Sequence, residues 1–526
     1  MKEFQKNLVA AWQDYASGKI DAKTLKGASA GFGIYQQKDE KTMMRVRRVA
    51  GHLSTTDLRS AAKVLRQHGG DYAHLTTRQD IQLHGIPATE VPAALETCES
   101  FGFRFRGGGG DTFRNTIVSP YSGLFADSVF DVVPYARALS DAFYGFDLAY
   151  GLPRKLKIAF ADRPADAYLA QSNDLGFLAK IVDGQKCFET YFAGGIGFKP
   201  RLGIKLFDAL PAEDCIRVAR ALTALFNDKG CRTNRAHARI RFLREDFGDD
   251  GLVALFHEYF AKTPVPRPSA VSLRSAVPVP VPRCVSPAAL ASPPPPATTF
   301  PTSTSILTDY ETWKSLAVTP LANDLAAVRV FVPFGNFTAD ELESFAAAME
   351  PMNATRFEIL PTLDLGLVVP AAQLPGVYAT LAALPRDYVA KSFVGNIRTC
   401  IGCTVCKSGV TDAPTIGRKV GEYFDAKYRP IDSLEKLAVA SALLNDVRIS
   451  GCPNSCTCQP LAKFGFAGRK LNGADAETAY LPGATDPVSL GAVDASVQVV
   501  PADEFPAFLE QRILHVLNIC TANDND

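Results

Sequence analysis

Six of the chain's twelve cysteines fall between positions 400 and 458. They form two short clusters, Cys400-Ile401-Gly402-Cys403-Thr404-Val405-Cys406 and Cys452-Pro453-Asn454-Ser455-Cys456, with Cys458 just beyond. Two such clusters, brought together by the segment between them, can supply the four thiolates of an iron–sulfur centre. The Pro453-Asn454 turn can aim Cys452 and Cys456 at one site. Zinc is the competing reading, but structural zinc pairs usually lie two to four residues apart, and five separate Cys400 from Cys406. Cys400, Cys403 and Cys406 also read as a ferredoxin-type run. Cys98, Cys187, Cys215, Cys231 and Cys520 read as buried, inert thiols.

Three stretches concentrate cations. Met43-Met44-Arg45-Val46-Arg47 puts Arg45 and Arg47 on one side of a strand. Gly110-Asp111-Thr112-Phe113-Arg114-Asn115 supplies Arg114, and Leu152-Pro153-Arg154-Lys155-Leu156-Lys157 puts Lys155 and Lys157 on one strand face. Taken singly, each reads as a strand with solvated charges. Beside a metal centre they gain a use. Guanidinium groups grip oxyanion oxygens through paired hydrogen bonds, and lysine can also give up a proton.

The C-x5-C of Cys400 and Cys406, followed by the C-x3-C of Cys452 and Cys456, resembles the siroheme and [4Fe-4S] sulfite/nitrite reductase family. The likeness spans nearly the whole chain outside a proline-rich stretch. It implies that Cys400, Cys406, Cys452 and Cys456 ligate a [4Fe-4S] cluster, with Cys456 bridging to the siroheme iron. Cys403 and Cys458 fall outside the family pattern. The resemblance places Arg45, Arg114, Lys155 and Lys157 in the substrate pocket. It gives Arg47, Arg78, Gln82, His84, Arg154, Arg239, Arg241 and Asn454 to the binding of siroheme, whose rim carries carboxylates. His74, where a related enzyme has arginine, and Phe113, in place of a polar residue, depart from the pattern.

The implied activity is six-electron reduction of sulfite to sulfide. Lys157, where plant-type nitrite reductases tend to carry asparagine, and Gln82-Leu83-His84 favour sulfite. Reduction of nitrite to ammonia is the alternative. A precorrin-3B synthase-like enzyme, a non-catalytic iron–sulfur electron carrier and a zinc-stabilised module are more distant readings.

These residues need a scaffold to bring them together. Residues 43–105 read as strand, helix, strand. Ser54-Thr55-Thr56-Asp57 offers an N-cap, and Ala73 to His84 alternates like one strand. The unit returns about 284 residues later, at Val328–Val332, Thr338–Leu342 and Leu363–Pro370. That offset sets Arg114-Asn115-Thr116 opposite Arg398-Thr399-Cys400. The expected fold is α+β, internally duplicated, with pseudo-twofold mixed α/β domains and siroheme between the halves. Its parts are an N-terminal arm (1–42), a first ferredoxin-like half-domain (43–105), a siroheme- and substrate-binding domain (106–262), a proline-rich linker (263–323), a second half-domain (324–395) and a cluster- and siroheme-binding domain (396–526). Twelve of the 35 prolines lie between 264 and 301, a composition suited to an extended linker. Residues 1–42 lack a sustained period and read as an arm wrapping the core.

Composition excludes other classes. A hydrophobic content of 47% with 21% charged residues describes a soluble globular protein, and a net charge of +1 gives no nucleic-acid signature. No apolar run approaches the roughly 20 residues of a membrane span. The start has no signal-peptide core, so the expected compartment is the reducing cytoplasm. With no Gly-x-Gly-x-x-Gly after a strand, electrons are expected from a partner, either a ferredoxin or a flavoprotein subunit.

Overall fold

A computed structural model describes residues 3–265, 309–352, 356–429, 434–485, 488–496 and 499–523. Two antiparallel five-stranded sheets carry the repeated unit. One runs in the order Ile34–Gln36, Thr42–Val46, Ile81–Ile86, Tyr72–Leu75, Asn336–Phe337. The other runs Val318–Pro320, Leu325–Val330, Leu365–Pro370, Arg356–Ile359, His52–Ser54. Each sheet thus borrows its last strand from the other repeat, Phe337 pairing with Ala73 and Leu53 with Phe357. The borrowed strands follow matching left-handed turns, at Ala50-Gly51 and Phe334-Gly335. Each then leads into a helix with a capping box: Ser54 with Asp57 for Thr55–Gln67, and Thr338 with Glu341 for Ala339–Met349. Leu58, Leu65, Leu342 and Phe345 from these helices share one core.

The duplication extends to a second pair of sheets. Ile117–Val118, Ile158–Ala161 and Leu175–Val182 pair in parallel, then Gln185–Phe192 and Ile204–Pro211 add antiparallel. Arg398–Thr399, Val447–Ser450, Phe464–Leu471, Ala474–Ala479 and Val500–Pro501 repeat that order. Pairing corrects the register read from sequence. Ile117 faces Ala159 and Arg398 faces Arg448, each partner being the second residue of its strand, so Arg398 corresponds to Ile117 rather than Arg114. The lead-in from Pro370 is shorter than the one from Ile86, so a single offset cannot hold across both.

Other expectations also change. Ala73 to His84 is a hairpin, not one strand: Thr76 N–H donates to Asp80 O and Asp80 N–H to Thr76 Oγ1, both at 3.0 Å, while Gln79 turns with φ 57°. Its polar turn keeps the alternating phase, which hid the break and lifted Arg78 out of the strand. The expected arm contains two helices, Glu3–Ala16 and Ala22–Ser29, whose Leu8, Trp12 and Leu25 enter the core. Residues 266–308, most of the expected linker, lie outside the described residues. The linker reading fails from Asp309 onward, because Asp309–Ala317 is a helix that buries Trp313 completely against Tyr310 and Tyr378.

Candidate active site

The cationic stretches meet where the first half-domain abuts the sheet beginning at Ile117. Arg114 N–H donates to Leu156 O at 2.8 Å, setting the Arg114 stretch beside Lys155–Lys157. Arg45 Nη1 and Arg114 Nη1 both donate to Gly108 O, at 2.7 and 2.9 Å, and Arg114 Nη2 adds Gly110 O at 2.9 Å. Two guanidinium groups therefore converge on one carbonyl oxygen. The loop can present that oxygen because it is all glycine: a Cβ on Gly109 would lie 2.2 Å from Tyr35 Oη.

Lys155 and Lys157 sit just ahead of Ile158–Ala161 rather than within a strand. Among the described residues neither ammonium makes a hydrogen bond or ion pair. Burial, then Lys157, Arg239 and Arg114, holds Lys155 well below the usual lysine range. Burial, then Arg78 and Arg239, brings Lys157 down to about 7. An amine so placed can exchange a proton near neutrality.

Around this mouth lie the residues expected to hold a tetrapyrrole. Arg47 donates to Arg106 O at 2.8 Å and lies over the Phe113 ring, which accounts for an apolar residue there. Arg78 donates to Asn173 Oδ1 at 2.9 Å and Asn115 O at 2.6 Å. Gln82, with its amide turned to suit its neighbours, accepts from Arg45 Nε and Nη2 at 3.0 and 2.7 Å. His84 is fully buried, stacked on Tyr72, with its ring nitrogens against Gln37 and Gln82. It is placed to brace Gln82 rather than to face open space. His74 is bonded to Asn336 Oδ1 at 2.7 Å, across the exchanged strand. Arg154 shares Asp111 with Arg235 and is only half-buried. Arg241 donates to Lys199 O and Phe198 O.

Two adjacent residues at the heart of this set were missed from sequence. Asn173 takes Arg78, and the fully buried Asp174 takes Arg239 at 2.8 Å and the Lys157 N–H at 2.7 Å. No motif marks Ser172-Asn173-Asp174.

Cys452 and Cys456 each lie within electrostatic range of both Cys400 and Cys406. Cys400 Sγ accepts from Gly451 N–H at 3.0 Å, and burial, then Cys456, pushes its thiol up to about 12. Asn454 N–H and its side chain hydrogen-bond the Cys452 thiol, opposing the rise that burial causes. Cys456 is raised by burial and then Cys452, while Lys155 and Lys157 pull it down. Thr77 Oγ1 donates to Cys456 O at 2.8 Å, tying the Arg78 turn to the thiolate loop. Among the described residues no group of three or more His, Cys, Asp or Glu side chains could hold a metal ion directly. Zinc needs ligands at about 2.3 Å, whereas a multi-iron cluster lies between more widely set thiolates. Cys403 lies by Lys470, and Cys458 by Arg78 and Lys157. Cys98, Cys187 and Cys215 are buried as expected. Cys231 is not: it is half-buried in a polar turn, accepting from Asn234 N–H at 3.3 Å. The side chain of Cys520 lies outside the description.

Comparison with known proteins agrees with this layout. A family model described as "Nitrite/Sulfite reductase ferredoxin-like half domain" matches residues 35–101, and one described as "Nitrite and sulphite reductase 4Fe-4S domain" matches 109–264. Among curated relatives, "Sulfite reductase [ferredoxin]" of Mycobacterium tuberculosis (strain ATCC 25618 / H37Rv) is 24% identical over 86% of this chain and 78% of its own. "Ferredoxin--nitrite reductase" of Synechococcus elongatus is 27% identical over 82% of this chain and 76% of its own. The solved structure of Mycobacterium tuberculosis NirA superposes with a TM-score of 0.74 at 22% identity, over 96% of this chain and 92% of that one, and shares the fold.

The fold, the site and these matches define an oxidoreductase. Residues 35–101 and 109–264 match models of the nitrite and sulphite reductase family, and the curated relatives are named as reductases of those two anions. Siroheme and a [4Fe-4S] cluster are the cofactors of that family, and the residues present fit both. The four cysteines are free. Arg47 Nε, Arg78 Nε, Arg114 Nε and Arg241 Nη1 are buried with no hydrogen-bond partner among the described residues, as donors awaiting carboxylates or an oxyanion would be.

Proposed function

We propose that the chain reduces sulfite to sulfide with electrons from a ferredoxin. The observation that supports it most is the pair of ammonium groups, Lys155 and Lys157, which have no partner among the described residues and lie near Arg114. In this reading Arg45 and Arg114 bind the oxygens of the anion. Lys155 and Lys157 deliver protons as those oxygens leave as water. Hydrogensulfite plus six electrons and six protons gives hydrosulfide and three waters, so proton supply matters as much as charge. Cys400, Cys406, Cys452 and Cys456 would hold the cluster, which with siroheme would supply the metal centre and the electrons.

Arg47, Arg78, Gln82, Arg154, Arg239 and Arg241 meet tetrapyrrole carboxylates in this reading, with His84 behind Gln82 and Asn454 bonded to Cys452. The 1–42, 43–105, 106–262, 324–395 and 396–526 divisions act as one unit around that centre. The names of the relatives support a ferredoxin as donor. Relatives are named for both anions, so nitrite reduction is the second reading. Steady-state turnover of both anions by the holoprotein, with a dithionite-reduced viologen as donor, tests the proposal. A higher kcat/KM for sulfite is expected. Strong preference for nitrite would overturn the substrate, and no turnover of either would overturn the reaction.

A further inference from the structure

We propose that Asp174 is a positioning residue of the substrate pocket, fixing Arg239 and the main chain of Lys157 with one carboxylate. The inference rests on the anion-reductase reading above. Asp174 is 0% exposed, and both its oxygens are occupied. Arg239 Nη2 donates to Oδ1 and Oδ2 at 2.8 Å each, and Lys157 N–H donates to Oδ2 at 2.7 Å. Its carbonyl accepts from Ala193 N–H at 2.9 Å, which anchors the residue just ahead of Leu175–Val182. Asn173 does the same for Arg78 at 2.9 Å, while its own amide donates to Leu169 O at 2.8 Å. One turn therefore aims three basic residues of the site.

The pair is not a rim salt bridge, since the Arg239 side chain is only 11% exposed. A buried ion pair is costly unless its hydrogen bonds are complete, and here the carboxylate's are. Its charge also has a target. Lys157 faces Lys155, Arg78 and Arg239, which disfavour its ammonium form, and Asp174, Cys456 and Cys458, which favour it. Asp174 offsets part of that cationic crowd and keeps Lys157 able to give a proton.

Asp174→Asn keeps the shape and one acceptor but removes the charge and the two-pronged grip. Competitive acetylation of Lys157 across pH, read by mass spectrometry on the folded holoprotein, follows its titration without turnover. The pH profile of kcat/KM for sulfite is measured alongside. The Lys157 midpoint is expected to fall by about half a pH unit or more, the alkaline limb of kcat/KM to follow it, and Asp174→Glu to lie nearer the wild type. An unmoved Lys157 midpoint in folded Asp174→Asn protein with normal tetrapyrrole absorption would overturn the proposal. If the wild type reduces neither anion, the functional reading falls and the labelling midpoint still decides this one. If the asparagine variant does not fold, Asp174→Glu carries the test: faster deuterium exchange at the Lys157 amide supports the proposal, and unchanged exchange contradicts it.

Discussion

The sheet beginning at Ile117 and the sheet beginning at Arg398 share one strand order, yet they place their chemistry at opposite ends of equivalent strands. In the first, Arg114 and Lys157 come ahead of Ile117–Val118 and Ile158–Ala161. In the second, Cys400 and Cys452 come after Arg398–Thr399 and Val447–Ser450. A duplicated scaffold can therefore serve two tasks without refolding, one copy's strand entrances gathering cations and the other's strand exits gathering thiolates. The two meet where Lys155 and Lys157 act on Cys456, and where Thr77 reaches the carbonyl of that cysteine.

The most severe way to break this division is to remove one cysteine from each copy and compare the losses. Cys406→Ser is expected to abolish the cluster, measured as iron and labile sulfide, and with it all turnover. Cys187→Ser, at a buried thiol of the cationic copy, is expected to leave both in place. Equal losses from the two would contradict a thiolate role confined to the second copy.

A smaller effect comes from pH. Lys157 has its pKa lowered to about 7, and in the proposed reading its charged form gives the proton. That form is present below about 7 and is lost as pH rises through it, so kcat/KM should fall about tenfold per unit on the alkaline side. A bound anion favours the ammonium, so the limb of kcat should lie at higher pH. A flat alkaline profile would remove Lys157 from proton delivery.

The gentlest probe compares the two half-domains. Ser54→Ala and Thr338→Ala each remove one capping box, at a cost of about 1 kcal/mol. Because each sheet ends in the other's strand, both variants should lower the same urea transition. Separate transitions would show that the exchanged strands do not join the halves cooperatively.

What the sequence made legible follows from how local each signal is. The cap at Ser54 and Asp57 is a four-residue signal, and it holds. The cysteine spacings lie in two short loops, and the second loop's Cys452 and Cys456 come near Cys400 and Cys406 of the first. Alternation, however, cannot report a turn that keeps its phase, and so the hairpin at Thr76–Asp80 was hidden. The exchange of strands at Leu53 and Phe337 is a long-range pairing with no local signature. Asp174 and Asn173 were invisible for a related reason. A buried polar residue earns its place through partners distant in sequence, here Arg239, Lys157 and Arg78. Trp313 falls inside the expected linker because proline content carries no signal for where the helix Asp309–Ala317 begins.

The division of labour is tested most directly by one variant, Lys157→Met, purified as holoprotein and examined for absorption and for sulfite turnover in the same sample. Unchanged siroheme and cluster absorption with turnover at background is the expected result, since the substitution leaves the thiolate copy intact and removes the ammonium. Turnover near wild type with those bands in place would contradict the assignment of proton delivery to the cationic copy.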